Sequence, residues 1–88
     1  MSNGAGYVFA PRARRDLRRP DPTVQRRIVD ALDRLTADPP VGDVVRLAGV
    51  GNEWRLRVGD WRVRFTRNLE TGVIEVLRVL PRGRAYRD

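Results

Sequence analysis

The sequence contains no cysteine, no histidine and no lysine. The absence of cysteine excludes disulfides and cysteine nucleophiles, and without cysteine or histidine the usual zinc sites cannot form. No imidazole is present to serve as a general base. No apolar run approaches the ~18 residues of a membrane span, and the start of the chain lacks the charged and apolar regions of a secretory signal. An enzyme built on this chain would have to use arginine, tyrosine, carboxylates or hydroxyls, and we expect a cytoplasmic protein.

The 88 residues suffice for one domain, and we expect residues 1–6 to form a flexible tail and residues 7–88 a single domain. All 18 basic residues are arginine, against 11 acidic residues, which gives a net charge of +7. A GC-rich genome would account for the choice of arginine over lysine, but it does not account for the net charge. Such basicity indicates a polyanionic partner: nucleic acid first, an acidic protein second and a membrane surface third, the last being the weakest.

Two helices are predicted in the first half of the chain. A short β-prone run, Tyr7–Ala10, precedes Pro11, which suits the first position of a helix over Arg12–Arg19. Asp21 can cap a second helix that has Pro22 at its first position. The apolar residues of this second helix recur at helical spacing on one face: Val24, Ile28, Ala31, Leu32 and Leu35. The two helices therefore form a hairpin that packs on an apolar surface.

The second half predicts a β-hairpin followed by a further strand. Trp54–Val58 and Trp61–Phe65 alternate strictly between apolar residues and arginine, and Gly59–Asp60 between them favours a two-residue turn. Val73–Leu80 is predicted to be a strand buried on much of both faces, and hence central in the sheet. The fold class is therefore α+β, with the order β-α-α-β-β-β and a helical hairpin packed on one face of a small antiparallel sheet.

The two-residue turn fixes which residues of the hairpin lie opposite each other. Arg57 is predicted to pair with Arg62 and Arg55 with Arg64, on the face away from the helices. Like charges directly opposite in an antiparallel pair cost up to ~1 kcal/mol. Two such pairs favour an anionic ligand that relieves the repulsion, and phosphate suits the bidentate guanidinium. A solvated strand face with its charges in water is the alternative.

The residues after the last strand, 81–88, carry three arginines and one tyrosine. This segment either folds over the same arginines or forms a disordered basic end. Besides the terminal Asp88, Tyr86 is the candidate acid or base within it. Surrounding arginines would lower the pKa of its phenol from the reference value near ~10 towards a useful range.

Six short motifs run through the chain: Tyr7-x-Phe9, Ala13-x3-Leu17, Leu32-x2-Leu35-x3-Pro39, Arg46-Leu47-x-Gly49, Trp54–Val63, and Val79-x2-Arg82-x3-Tyr86. Together they resemble the RelE/ParE superfamily of toxins from type II toxin–antitoxin systems. The resemblance covers about residues 7 to 87, and the hairpin sequence is its most specific part. The late arginine and tyrosine, together with the short helical hairpin, favour the RelE branch and a RelE-like fold.

The RelE branch implies an endoribonuclease that cuts mRNA in the ribosomal A site without a metal or other cofactor. In its reaction the ribose 2′-OH attacks the adjacent phosphate and leaves a 2′,3′-cyclic phosphate and a 5′-OH. By position, the resemblance assigns the catalytic site to Arg55, Arg57, Arg62, Arg82 and Tyr86. Arg62 and Arg82 would stabilise charge on the phosphorane. Arg55 and Arg57 would orient the phosphate, and Tyr86 would act as general base or acid. Four further arginines are expected to bind RNA: Arg46, Arg64, Arg84 and Arg87.

Two positions depart from the family pattern. Pro81 stands immediately before the late arginine, where members often have a basic residue or histidine. Arg55 stands on the first hairpin strand, where some members have lysine. Lysine can release a proton after a modest fall in its pKa, whereas arginine effectively cannot. The burden of proton transfer therefore falls on Tyr86.

The resemblance leaves two alternatives and implies one partner. ParE-branch toxins resemble non-enzymatic inhibitors of DNA gyrase, and a third possibility is a catalytically decayed toxin that survives as an antitoxin-binding co-repressor.

In each case the implied partner is a cognate antitoxin with acidic residues against this basic surface, which would cover the site or displace the C-terminal tail. Operator DNA would be bound only indirectly, through the antitoxin, and no membrane is implied.

Overall fold

The computed structural model describes residues 6–49 and 51–83, so that the predicted tail apart from Gly6, and residues 84–88, lie outside the described residues. Two helices and five strands follow one another within the described ranges. Their bounds are β1 Tyr7–Phe9, α1 Pro11–Asp16, α2 Pro22–Leu35, β2 Val44–Arg46, β3 Glu53–Val58, β4 Trp61–Arg67 and β5 Ile74–Pro81. Neither of these helices is long and apolar enough to cross a membrane. The fold is α+β, as predicted.

The five strands form one mixed sheet in the order β1-β5-β4-β3-β2. Strand β5 lies between β1 and β4, which confirms its predicted interior position. The structure adds two features to the predicted sheet. Strand β2 extends the far edge, and β1 pairs with β5 in parallel while the other pairs are antiparallel. The two helices carry the chain from β1 to the far edge of the sheet, where β2 begins. Strands β2 to β5 then return as an antiparallel meander, and β5 comes to lie beside β1 and runs in the same direction.

The hairpin β3–β4 has the predicted register. Val58 lies opposite Trp61, Arg57 opposite Arg62, and Arg55 opposite Arg64. Gly59 in the turn has φ of +57°, a left-handed conformation that glycine adopts without strain. Period-two alternation and a two-residue turn therefore suffice to fix which side chains share a face.

Helix α2 supplies the helical half of the core. The side chain of Asp21 accepts a hydrogen bond from the backbone N–H of Val24 at 3.0 Å, and Pro22 occupies the first turn, as predicted. Buried residues of the core come from both helices and from β3, β4 and β5: Ala13, Ile28, Ala31, Leu32, Leu35, Leu56, Val63, Phe65, Ile74, Val76 and Val79. Helix α1 ends at Asp16 rather than at the predicted Arg19. Its last turn tightens into i to i+3 bonds, and Pro20 disfavours a helical conformation at the residue before it.

A β-bulge in β5 shifts the phase of that strand. Phe65 lies opposite Val76, whereas Arg64 lies opposite Arg78, so that Leu77 is the extra residue. Without the bulge, Arg78 would point to the same side as Val76, into the core. With it, Val79 takes the core position and Arg78 moves to the opposite face. The bulge therefore explains a strand sequence that is apolar on both faces.

Candidate functional site

The sheet face opposite the core is organised in rows that cross β3, β4 and β5. The row nearest the hairpin turn holds Arg57, Arg62 and Leu80, and the next row holds Arg55, Arg64 and Arg78. The third row holds Glu53, Thr66 and Glu75. We call the five arginines of the first two rows the arginine face. Positive charge is thus concentrated towards the hairpin turn and negative charge at the other end.

Arg62 is the most buried member of the arginine face, with 8% of its surface exposed. Its Nη1 donates to the carbonyl oxygens of Gly59 at 2.8 Å and of Trp61 at 3.0 Å. Burial lowers the pKa of the Arg62 guanidinium, and the nearby charges of Arg55, Arg57 and Arg82 lower it further. The two hydrogen bonds hold the Arg62 guanidinium in place, in a site with three other cations nearby.

Arg82 belongs to the same cluster although it follows the end of β5. Its backbone N–H donates to the carbonyl oxygen of Asp60 at 2.7 Å, which fixes this residue beside the hairpin turn. The side chain of Arg82 is exposed and close enough to Arg62 to affect its pKa. The described part of the chain thus brings together four of the five residues of the expected catalytic site: Arg55, Arg57, Arg62 and Arg82.

Carboxylates pair with several of these arginines. Asp43 lies 2.6 Å from Nη2 of Arg57, in a pair whose side chains are 59% and 49% exposed. Glu53 accepts hydrogen bonds from Arg64, and both side chains are largely buried. The hairpin pattern alone indicates little mixing of charge, and Asp43 corrects that picture because it comes from the chain before β2. The repulsion across the two arginine pairs is therefore partly offset, and the excess charge is centred on Arg62 and Arg82.

The remaining expected RNA-binding residues do not all join this cluster. Arg64 lies on the arginine face, one row from Arg62. Arg46 lies opposite Trp54, on the other face of the sheet, where its guanidinium is 5.9 Å from the centroid of the Trp54 ring. Arg46 also donates to the carbonyl oxygen of Gly51 at 3.2 Å. The expected site residues Arg84, Tyr86 and Arg87 lie outside the described residues.

Among the residues that the structure describes, Tyr7 is the only tyrosine, and it lies away from the arginine face. It pairs with Ile74 of the core face, and its hydroxyl donates to Oδ1 of Asp33 at 2.9 Å. Burial and the neighbouring Asp33 raise the pKa of Tyr7 to about 12. A phenol with that pKa is a poor donor or acceptor of protons near neutral pH. The acid or base role of Tyr86 stays a prediction.

Sequence reasoning missed Arg78 and Asp16. The carboxylate of Asp16 accepts hydrogen bonds from Arg78 Nε at 2.7 Å and from the backbone N–H of Val79 at 3.0 Å. A signal for Arg78 was present, because the run from Ile74 to Leu80 cannot keep period-two alternation without placing arginine in the core. No local pattern pointed to Asp16, which lies far from Arg78 in the sequence.

Comparison with known proteins gives consistent matches over most of the chain. Residues 7–86 match the family model of the ParE toxin of type II toxin–antitoxin system, parDE. Among solved structures, the archaeal RelE–RelB complex from Pyrococcus horikoshii OT3 is similar, with 30% identity, a TM-score of 0.74, and coverage of 91% of this chain and 97% of that chain. The toxin–antitoxin complex RelBE2 from Mycobacterium tuberculosis matches with 26% identity, a TM-score of 0.72, and coverage of 88% and 96%. The RelB–RelE complex from Methanococcus jannaschii matches with 25% identity, a TM-score of 0.74, and coverage of 91% and 95%. A search of curated proteins gives no significant match.

Proposed function

Because the chain belongs to the RelE/ParE superfamily of toxins of type II toxin–antitoxin systems, we propose that it is a RelE-like endoribonuclease that cuts mRNA on the ribosome. The observation that carries this proposal is the clustering of Arg55, Arg57 and Arg82 around the buried Arg62. Such a cluster is costly without an anion between its members. A phosphodiester supplies that anion, and its charge increases in the transition state.

The proposed reaction assigns each group a part. The ribose 2′-oxygen attacks the adjacent phosphorus and the bond from phosphorus to the 5′-oxygen breaks, which yields a 2′,3′-cyclic phosphate and a 5′-OH. Arg62 and Arg82 stabilise the additional negative charge on the phosphorane, and the hydrogen bonds that hold the Arg62 guanidinium reduce reorganisation during the reaction. Arg55 and Arg57 orient the phosphate through guanidinium hydrogen bonds.

Proton transfer needs a group other than arginine. One proton leaves the 2′-OH and one must reach the departing 5′-oxygen, and a guanidinium that stays protonated can neither accept the first as a base nor give up the second as an acid. We assign one of these transfers to Tyr86. Its phenol would lie among cations if the last residues pass over the arginine face, and cations lower the pKa of a phenol towards neutrality.

We propose a cognate antitoxin as the partner of this chain. The similar structures from Pyrococcus horikoshii, Mycobacterium tuberculosis and Methanococcus jannaschii are complexes of a RelE-type toxin with its antitoxin. The net charge of +7 favours an antitoxin segment that carries acidic residues. Such a segment would neutralise the toxin by covering the arginine face or by displacing the tail, and operator DNA would be reached only through the antitoxin.

The decisive experiment is single-turnover cleavage of mRNA on programmed ribosomes. Arg82→Ala is expected to lower the rate by about 10²–10³-fold, the usual loss when one transition-state donor is removed. Arg67→Ala is the matched control, because Arg67 is also exposed but lies at the far end of β4. It should cleave within a few-fold of the wild type. Equal rates for the two variants would contradict the assignment of Arg82.

The second candidate function is inhibition of DNA gyrase without nuclease activity. The observation that favours it is the match of residues 7–86 to the family model of the ParE toxin. The test adds the purified toxin to a gyrase supercoiling assay in parallel with the ribosome assay. Inhibited supercoiling together with intact mRNA would replace the nuclease proposal by the gyrase one.

A further inference from the structure

A cleft of about 440 Å³ opens beside the arginine face, at the junction of β1 and α1. Its walls are Ala10–Arg12 on one side and Arg64, Leu77 and Arg78 of the sheet on the other, with Glu53 at its edge. The bulge shapes this cleft, because it leaves Leu77 partly exposed as the extra residue of β5 and places Arg78 opposite Arg64. Bulges of this kind commonly lie next to functional sites, where they redirect a side chain.

The side chains of the cleft combine an apolar surface with fixed cations. Ala10, Pro11 and Leu77 supply the apolar part. Arg64 and Arg78 are each held in place by a carboxylate, from Glu53 and Asp16 respectively. Arg12 is exposed at the start of α1. This combination fits a nucleotide better than a bare phosphate, because a base can lie on the apolar surface and along the guanidinium planes while Arg12 contacts a phosphate.

The rows of the sheet indicate the direction in which an RNA strand leaves the arginine face. A strand that continued straight from Arg62 would meet the third row, where the exposed carboxylate of Glu75 would repel its phosphates, while Glu53 of that row is already paired with Arg64. The second row leads instead across Arg64 and Arg78 towards α1. Neighbouring rows are two residues apart along a strand, about 7 Å, so that the second row lies directly next to the row of Arg62.

We infer that this cleft holds the nucleotide next to the scissile phosphate, with its base against Leu77 and Pro11 and a phosphate against Arg12. The inference rests on the proposed function for the position of the scissile phosphate at Arg62. It adds to that function a second RNA subsite, built from the β1–α1 junction and the bulge of β5. Neither element contributes to the catalytic cluster.

Fluorescence anisotropy with a labelled 2′-O-methyl RNA hexamer tests the phosphate contact, because the modified RNA cannot be cleaved. Arg12→Ala is expected to raise the Kd about 10-fold at low salt, since it removes a charge-assisted hydrogen bond. It should also reduce the slope of log Kd against log salt by about 0.7, the value for one phosphate contact with a single strand. Arg14→Ala is the matched control, since Arg14 is an exposed arginine of α1 outside the cleft. Equal affinities and slopes for the two variants would overturn the subsite.

Abasic hexamers test the base contact. Removing the base at one position should weaken wild-type binding several-fold, and the same removal should have little effect on the Leu77→Ala variant. Equal affinity of the wild type for every abasic hexamer would overturn the placement of a base on Leu77. Circular dichroism checks that each variant is folded.

The ribosome assay separates the failure of this subsite from the failure of the proposed function. RNA binding that depends on Arg12 but not on Arg14, in a protein that cuts no mRNA, would support the subsite and refute the nuclease. Cleavage on the ribosome, with equal Kd for the Arg12 and Arg14 variants, would support the nuclease and refute the subsite. If Arg12→Ala weakens only the binding of the antitoxin, the cleft belongs to that partner and the inference is wrong.

Discussion

The carboxylate of Asp16 on α1 accepts a hydrogen bond from the backbone N–H of Val79 on β5, at 3.0 Å and across 63 residues of sequence. Strand β1 pairs with β5 only as far as Val76, so that the next part of this strand has no neighbouring strand on that side. There the Asp16 carboxylate supplies the hydrogen-bond acceptor that a neighbouring strand would otherwise provide, and it also accepts hydrogen bonds from the Arg78 guanidinium. This contact fixes the part of β5 that leads to Arg82.

Removal of the Asp16 carboxylate should destabilise the protein strongly. Asp16→Ala leaves the Arg78 guanidinium and the Val79 N–H without their partner in a largely buried site. We expect the free energy of unfolding to fall by about 3 kcal/mol. Asp16→Asn keeps an acceptor for Val79 and should cost less. Urea denaturation measures both values, with Glu70→Ala as the control because Glu70 is an exposed turn residue. If the free energy of unfolding falls equally in the Asp16→Ala and Glu70→Ala variants, the Asp16 carboxylate does not stabilise the fold.

The same residue predicts a loss of stability in acid. Burial opposes ionisation of Asp16, but hydrogen bonds from Arg78 and Val79 outweigh it and lower the pKa of the carboxyl below its ordinary value of 3.8. As the pH falls, the unfolded chain therefore takes up this proton before the folded one. The contribution of Asp16 is present above about pH 4 and is lost as the pH falls through the folded-state pKa. Denaturation between pH 6 and pH 2 should show a shallower decline for Asp16→Asn than for the wild type.

Local sequence patterns predicted the hairpin and α2 because the residues that determine each element are close together in the sequence. Strict alternation with a two-residue turn at Gly59–Asp60 fixed the register, and Asp21 with Pro22 fixed the start of the helix. The three-residue strand β2 carries no such pattern. Its pairing depends on the position of β3, which the local sequence does not encode.

The sequence predicted which residues of the arginine face lie together, but not how deeply each of them is buried. Arg57 and Arg62 lie directly opposite each other, yet Arg57 is exposed and Arg62 is buried. The difference arises because β5 flanks β4 beyond Arg62, whereas the pairing of β2 with β3 stops at Leu56. Such effects depend on which strands are neighbours and how far each one extends. The bulge at Leu77 is of the same kind, because packing of Val79 into the core selects it.

Anions should stabilise the folded protein through Arg62. Its pKa is lowered by burial and by three neighbouring arginines, so its charge is held at a cost that a bound anion offsets. Inorganic phosphate at ten times its Kd should add about 1.4 kcal/mol and raise the Tm by several degrees. Arg62→Met removes the central charge and should reduce this shift by more than half. The measurement is thermal denaturation in phosphate against chloride at equal ionic strength, and equal shifts for both proteins would place the anion elsewhere.

The acid or base role proposed for Tyr86 has a control within the same chain. Tyr86→Phe removes one hydroxyl and should lower single-turnover cleavage on ribosomes by about 10²-fold or more, the usual contribution of a general acid or base. RNA binding should change little, because the ring is retained. Tyr7→Phe makes the same chemical change on the core face, where the hydroxyl donates to Asp33, and should cleave within a few-fold of the wild type.

The pH dependence of cleavage adds a readout that loss of folding would not produce. If Tyr86 transfers a proton, Tyr86→Phe should remove one limb of the profile of log rate against pH, while Tyr7→Phe should keep both limbs. An unchanged rate for Tyr86→Phe would contradict the assignment. In that case proton transfer would have to come from a carboxylate of this chain, such as Asp43 or Asp60 beside the arginine cluster, or from the ribosome or the RNA, because arginine cannot act as the base and the pKa of Tyr7 is raised to about 12.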